Sequence, residues 1–432
     1  MLVATEANAS PMVPKGMRAP FVLVTALFFL WGLPNNLNDV LIRQFMKSFQ
    51  LNRFQAGLIQ SAFYCGYFML ATPAALMMRR FGYKSGMIVG LCLLGAGTFL
   101  FWPAALIGAY WFFLFALFVI ASGLSFLETA SNPFIAQLGD PKNAARRLNF
   151  SQAFNPIGSI TGVLVGTVFI FSGVELAPAQ VAAMQTAHTY GRYLRDETLR
   201  VVDPYLLIGA LAFFLAVLIW HCRFPAVATE SVDNLSGDSS FKDLLRYPHF
   251  LTAVCAQFMY VGAQVGTWSY FIQYVEDYTH NPEKIAGYFL TGTLFAFGIG
   301  RFASSAIMGR ISASRLMGLY SVINVALLTI GVLTPGWAGL WTIFLSSFFM
   351  SVMYPTIFAL GVDGLGENTK IGASLLIMAI IGGAVLTPIM GLISQQSGRL
   401  ATAYAVPLAG YVFVAVYAFW GANLQPVRCR RS

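Results

Sequence analysis

Apolar runs of about 20 residues, the length an α-helix needs to cross a bilayer, recur along this chain with short stretches rich in charge, glycine or proline between them. Twelve runs are present, at roughly 20–44, 54–79, 84–102, 110–137, 148–172 and 203–222, then 249–276, 285–309, 314–333, 338–361, 371–396 and 403–423, with ends fixed only to a few residues. The pattern predicts an all-α membrane protein with twelve transmembrane helices. Hydrophobic residues make up 57% of the 432 and charged residues only 10%, where a soluble domain carries about 25% charge, so a soluble globular protein is excluded. Before the first run stand Pro11, Pro14, Lys15 and Arg18, without a short apolar core and cleavage site, and no cleaved signal peptide is expected.

Charge adds an orientation. Of the 26 Lys and Arg residues, seventeen fall on the side that holds the two termini, among them Arg79, Arg80, Lys84, Lys142, Arg146, Arg147, Arg428, Arg430 and Arg431. Eight fall on the opposite side, and Arg301 lies within a span. Basic residues collect on the cytoplasmic side, which predicts cytoplasmic termini in a bacterial inner (plasma) membrane. The same bias accounts for the net charge of +9, so no nucleic-acid partner is expected. Cys65, Cys92, Cys222, Cys255 and Cys429 are too scattered for a disulfide framework, and His188, His221, His249 and His280 have no ligand spacing. Neither metal nor cofactor is expected.

A charged stretch from Thr229 to Arg246 separates spans one to six from seven to twelve. The expected organisation is a six-helix half at 1–222, a central cytoplasmic loop at 223–248 and a second six-helix half at 249–432. Short basic turns follow spans two (Arg79, Arg80, Lys84) and eight (Arg310, Arg315), and Asn132-Pro133 and Tyr354-Pro355 close spans four and ten. Two repeats of six helices with these turns resemble a transporter of the major facilitator superfamily, in which the substrate sits near the midplane between two halves that rock. Gly158, Gly162 and Gly166 in span five, and Gly262 and Gly266 in span seven, read as close-packing positions. The polar stretch between Gly173 and Asp203 suggests a short surface helix of no assigned role.

Of the seventeen acidic residues, only Asp39 and Glu128 fall well inside apolar spans. A carboxylate there costs at least ~2.5–3.5 kcal/mol on insertion scales, so a function is the expectation, with a structural ion pair to Arg301 the main alternative. Asp39 ends the polar run Asn35, Asn36, Leu37, Asn38 on span one, after Pro34. Span five adds Gln152 and Asn155, three residues apart. In the second half Gln257, Tyr260, Gln264 and Trp268 form a stripe on span seven, with Arg301 and Tyr354 beside it in the pattern. Amides offer donors and acceptors to hydroxyl groups, and an aromatic ring suits the C–H face of a pyranose. A membrane amide equally serves to tie two helices together, and aromatic stripes more often pack than bind.

The blocks Phe29–Phe45, Ser122–Ala136 and Asn149–Pro156 carry a closer resemblance, to the bacterial L-fucose–proton symporters of the fucose/galactose/glucose symporter family. That resemblance covers nearly the whole chain, more strongly before span six than after it. It implies proton-coupled import of L-fucose by alternating access, with Asp39 and Glu128 in proton coupling and sugar binding. It also implies Asn36, Gln152 and Asn155 as cavity amides, with Arg301 and Tyr354 at second-half cavity positions. Asp39, in the outer half of span one, would meet the proton first, and Glu128, nearer the middle of span four, would couple it to the sugar. The turn after span two lacks the acidic residue of the usual superfamily signature. A carrier of glucose, galactose or N-acetylglucosamine is the alternative, and a membrane enzyme acting on a lipid a remote one, since no Asp-rich loop is present. The expected partners are a sugar, a proton and the bilayer, and the expected state is a monomer.

Overall fold

The computed structural model describes residues 12–139, 144–224, 244–308, 310–365 and 368–424. Most of the central charged segment, Lys142 and the C-terminal Arg428, Arg430 and Arg431 lie outside these residues. Every described element is helical. Span one is Arg18–Ser48. Spans two and three form one helical run, Arg53–Phe99, turned at Gly82, whose φ of 77° suits glycine. Span four is Tyr110–Gln137, span five is Ala144–Gln152 with Phe154–Val165 and the π turn Gly166–Ile170, and span six is Val202–His221. Span seven is Pro248–Ser269 continued by Phe271–Thr279, span eight Glu283–Ile307 and span nine Ala313–Leu333. Span ten divides into Trp337–Met350 and Met353–Val362. Span eleven divides into Thr369–Met378 and Gly382–Ser397 around a 3₁₀ turn, and span twelve is Leu400–Ala403 with Ala405–Phe419.

Eleven of these stretches are long and apolar enough to cross a membrane, and the twelfth, span seven, is diluted by buried Gln257, Gln273 and Ser269. Large apolar side chains such as Leu207, Phe214, Phe302 and Leu333 face outward on the bundle, which suits lipid rather than water. Exposed Trp102, Trp111, Trp337 and Trp341 lie at one end of the spans, and Trp220 and Trp420 at the end that holds the termini, as interfacial tryptophans do. The first of these is the far end of the bundle.

Span one packs on span five by backbone contact. A Cβ at Gly158 would overlap the carbonyl oxygen of Phe29, one at Gly162 that of Leu33, and one at Gly32 that of Asn155. Gly262 and Gly266 press on Leu386 and Met390 of span eleven, so the expected packing role of both glycine series holds. Three helix pairs join the first six spans to the last six among the described residues: most extensively two with eleven and five with eight, and also one with seven. At the basic turn, Lys84 Nζ donates to the carbonyls of Trp220 and Cys222, 2.9 Å each, closing the C-terminus of span six.

Five ion pairs among the described residues gather at the far end. Arg43 of span one pairs with Glu276 and, at 4.0 Å, with Glu283. Lys47 reaches Glu283 at 3.1 Å and Glu197 at 3.4 Å, and Arg53 pairs with Asp277. The segment after span five forms two short helices, Pro178–Thr186 and Tyr190–Leu199, where one was expected, because the chain turns at His188 with φ of 54°. This segment joins the same network: Lys47 Nζ donates to Ser172 Oγ and to the Val174 carbonyl, and the Glu283 amide donates to Glu175. The far end is therefore closed between the first and last six spans.

Replacing Gly158 with valine is expected to destabilise the bundle by about 1–3 kcal/mol through overpacking. Gly298→Ala, where nothing lies within 4 Å of the added carbon, serves as the control and is expected to leave stability unchanged. Thermal unfolding of detergent-solubilised protein measures both, and equal melting temperatures would refute the backbone-contact account.

Candidate functional site

Asp39 sits where spans one, two and seven meet, 3% exposed. Its Oδ1 accepts from Gln60 Nε2 at 2.9 Å and from Ser269 Oγ at 3.0 Å, and its Oδ2 accepts from Asn36 Nδ2 at 3.2 Å. Gln60 Nε2 also donates to Ser269 Oγ at 2.9 Å. Asn36 reaches Asp39 because residues three apart share a helix face. Ser269 reaches it because the first helix of span seven ends there, at Tyr270, before resuming at Phe271.

Glu128 faces a cavity of about 190 Å³ between spans two, four and eleven. Ser125 and Asn132, three residues before and four after Glu128, line it from the same face of span four, and Thr129 beside Glu128 lines it as well. Tyr67 and Phe68 close it from span two, and Ile380 and Ile381 from span eleven. The break in span eleven sets those isoleucines: Gly382, whose Cβ would overlap the Phe258 carbonyl, and Gly383, against the Tyr64 ring, let the chain come in close. Among the described residues no hydrogen bond or ion pair engages the Glu128 carboxylate. The hydroxyls of Tyr64, Tyr67 and Tyr354 lie within its electrostatic reach.

The alternative, a pairing of either acid with Arg301, is not formed among the described residues. Arg301 instead lies over the Phe297 ring at 5.0 Å, within electrostatic reach of Tyr260 and Tyr354. The span-five amides do not share one helix. The helix ends at Gln152 and restarts at Phe154, since Pro156 has no amide hydrogen for the Gln152 carbonyl. Gln152 Nε2 donates to Asn132 Oδ1 at 3.3 Å at the cavity's border, while Asn155 is half-buried with its carbonyl against Gly32.

On span seven the stripe divides by partner. Tyr260 donates to the Met350 carbonyl at 2.9 Å, and Trp268 Nε1 donates to Ser347 Oγ at 3.1 Å with its ring edge-on to Phe297, so both are engaged by neighbouring helices. Gln264 is half-buried, and buried Gln257 lies beside Tyr354 with both carboxamide atoms lacking a partner of normal geometry. Asn38 is fully buried with neither side-chain atom paired, and Asn35 has an unpaired carbonyl oxygen. Buried polar groups are paired as a rule, so these amides mark places where the fold leaves hydrogen-bonding capacity unused.

Sequence reading passed over Gln60, Ser269, Tyr64 and Tyr67. Three of them stand at Gln60, Tyr64 and Tyr67 on one face of span two, a stripe the residue pattern contained. Nothing in the sequence pointed to Ser269 or to Ile380 and Ile381.

Comparison with known proteins agrees with this architecture. The family model described as Major Facilitator Superfamily matches residues 21–373. An L-fucose-proton symporter of Escherichia coli (strain K12) is 42% identical over 403 residues, 92% of this chain and 92% of that protein. A glucose/galactose transporter of Brucella abortus is 35% identical over 406 residues, 93% of each. Among solved structures, a Major Facilitator Superfamily transporter, FucP, in the outward conformation matches with a TM-score of 0.70 and 40% identity, over 95% of this chain and 100% of that one. Twelve helical spans, a cavity between them and relatives matched over more than nine-tenths of the chain lead to one assignment: the chain belongs to the Major Facilitator Superfamily.

Proposed function

We propose that this protein is a proton-coupled secondary transporter that imports L-fucose by alternating access. The observation that carries the proposal is the Glu128 carboxylate, unpaired in a cavity whose span-four wall presents Ser125, Thr129 and Asn132 and whose opposite wall is apolar. Hydroxyl-binding groups facing apolar side chains suit a deoxyhexose, which carries both kinds of surface. The 42% identity to a fucose symporter, against 35% to a glucose/galactose transporter, supports fucose over those sugars.

In this reading Asp39 takes the proton on the outer side and Glu128 couples it to the sugar. Asn35, Asn36, Asn38, Gln152, Asn155, Gln257, Gln264, Arg301 and Tyr354 contribute hydrogen bonds or charge along the path, with Tyr260 and Trp268 shaping its second-half wall. Residues 1–222 and 249–432 act as two rocking halves joined by the 223–248 loop, and rigid-body exchange between two states is what moves the site from one face to the other. The termini are cytoplasmic in a bacterial inner membrane, and the far end is outside, as the basic-residue bias indicates. The protein works as a monomer without cofactor.

Asp39→Asn and Glu128→Gln are each expected to cut pH-gradient-driven fucose uptake into proteoliposomes at least tenfold. Full active uptake in both variants would remove the two acids from coupling. Wild-type uptake is expected to rise as the external solution is acidified, and to favour labelled fucose over galactose, glucose, arabinose and N-acetylglucosamine; equal uptake of glucose or galactose would shift the assignment to that class. Asn155→Ala is expected to raise the half-saturation concentration for fucose about threefold to tenfold, as the loss of one hydrogen bond would. An unchanged value would exclude Asn155 from the sugar site.

A further inference from the structure

The three donors on Asp39 do not come from the same part of the molecule. Asn36 is on its own helix and Gln60 on span two, so both accompany Asp39 whatever the last six spans do. Ser269 belongs to span seven and reaches Asp39 in a structure whose far end is closed.

With the Gln60 and Asn36 carboxamides oriented as they stand, the hydrogens at this site follow. Gln60 Nε2 carries two, and both are used, one toward Asp39 Oδ1 and one toward Ser269 Oγ. The Ser269 oxygen thus accepts from Gln60, and its single hydroxyl hydrogen is directed at Asp39 Oδ1. Asn36 Nδ2 can only donate. Asp39 therefore accepts three hydrogen bonds and has no acceptor facing it, which is the arrangement of an ionised carboxylate rather than of the acid. Other titratable or charged groups face this region without bonding Asp39: Tyr64 on span two, and Arg43 one turn along span one, held by Glu276 of span seven and Glu283 of span eight.

We propose that Ser269 is the positioning residue that ties the ionised form of Asp39 to the closed state of the far end. The proposal rests on the reading of Asp39 as the proton-accepting group and deepens it by naming how the last six spans sense its state. When the far end opens, span seven withdraws the hydroxyl and the carboxylate keeps only the donors of its own six spans. Ionisation then favours closure, and closure favours ionisation, by the same factor, since linkage between two equilibria is reciprocal. One hydrogen bond to a charged group corresponds to a shift of about tenfold in the ratio of closed to open molecules. The direction suits a carrier that must pick up a proton with the outside open and give it up once the outside has shut.

The test uses the full-length protein in liposomes, with its cysteines replaced by serine and spin labels at Ile107→Cys and Leu333→Cys, both exposed and on opposite sets of six spans at the far end. The closed population is read from the distance distribution between pH 5.5 and 8.5. It is expected to grow with pH when Ser269 is present. Ser269→Ala is expected to flatten that dependence and lower the ratio of closed to open molecules about tenfold at high pH, and Ser269→Thr, which keeps the hydroxyl, is expected to restore it. Asp39→Asn is expected to flatten it as well, with Ser269→Ala adding nothing further in that background. A full pH dependence in Ser269→Ala, failure of threonine to rescue, or additive effects of the two substitutions would overturn the role of Ser269. If Asp39→Asn itself keeps both the pH dependence and gradient-driven uptake, the reading of Asp39 as the proton group fails instead, and the two failures are thus told apart.

Discussion

The low polarity of the bilayer interior governs this structure: a polar group placed there either finds a partner or marks a site. Asp39 is bonded by three donors, Tyr260 and Trp268 are tied to span ten, and the serines and threonines of the spans largely bond the carbonyl one turn back. Against that background the unpaired groups stand out. Glu128, Asn35, Asn38 and Gln257 keep hydrogen-bonding capacity that the protein itself does not use. The pairing rule thus divides the polar residues of the spans into those that hold helices together and those available to a solute.

Backbone architecture serves the same division. Glycines bring span one against span five, and span seven against span eleven, closely enough that carbonyls fill the place of side chains. Helices break where polar or cavity-lining residues need another direction: at Ala153 beside Gln152, at Tyr270 beside Ser269, and at the 3₁₀ turn Ala379–Ile381 over the Glu128 cavity. Breaks of this kind are tolerated in a membrane only where neighbouring protein surrounds them.

The fold was legible because a membrane imposes its thickness on the sequence, so that span number, glycine seams and the two interior acids followed from run length and residue type. Asp39 and Glu128 stood out for the same reason. Their surroundings were less legible. Helical spacing places Asn36 beside Asp39 within one span, but no local pattern says that Ser269, distant in sequence, meets the same carboxylate, because that contact depends on how separate helices rotate and dock. The alternative of an ion pair with Arg301 is not formed, on the same ground: opposite charge gives an attraction without a geometry, and the guanidinium settles over Phe297. The continuity of span five was misjudged because Pro156 interrupts its hydrogen bonding within an apolar run.

The closed network at the far end has an electrical consequence. Arg43, Lys47 and Arg53 face Glu197, Glu276, Asp277 and Glu283, so bases and acids there nearly cancel. A membrane potential does work only on net charge displaced through it, about 2.3 kcal/mol per elementary charge per 100 mV. Parting this network at the water interface moves little net charge through the field. The voltage acting on such a carrier is therefore felt mainly at its unpaired interior charges, Glu128 and Arg301, and at whichever acid gains or loses a proton, making the interior rather than the gate the electrically sensitive part of the machine.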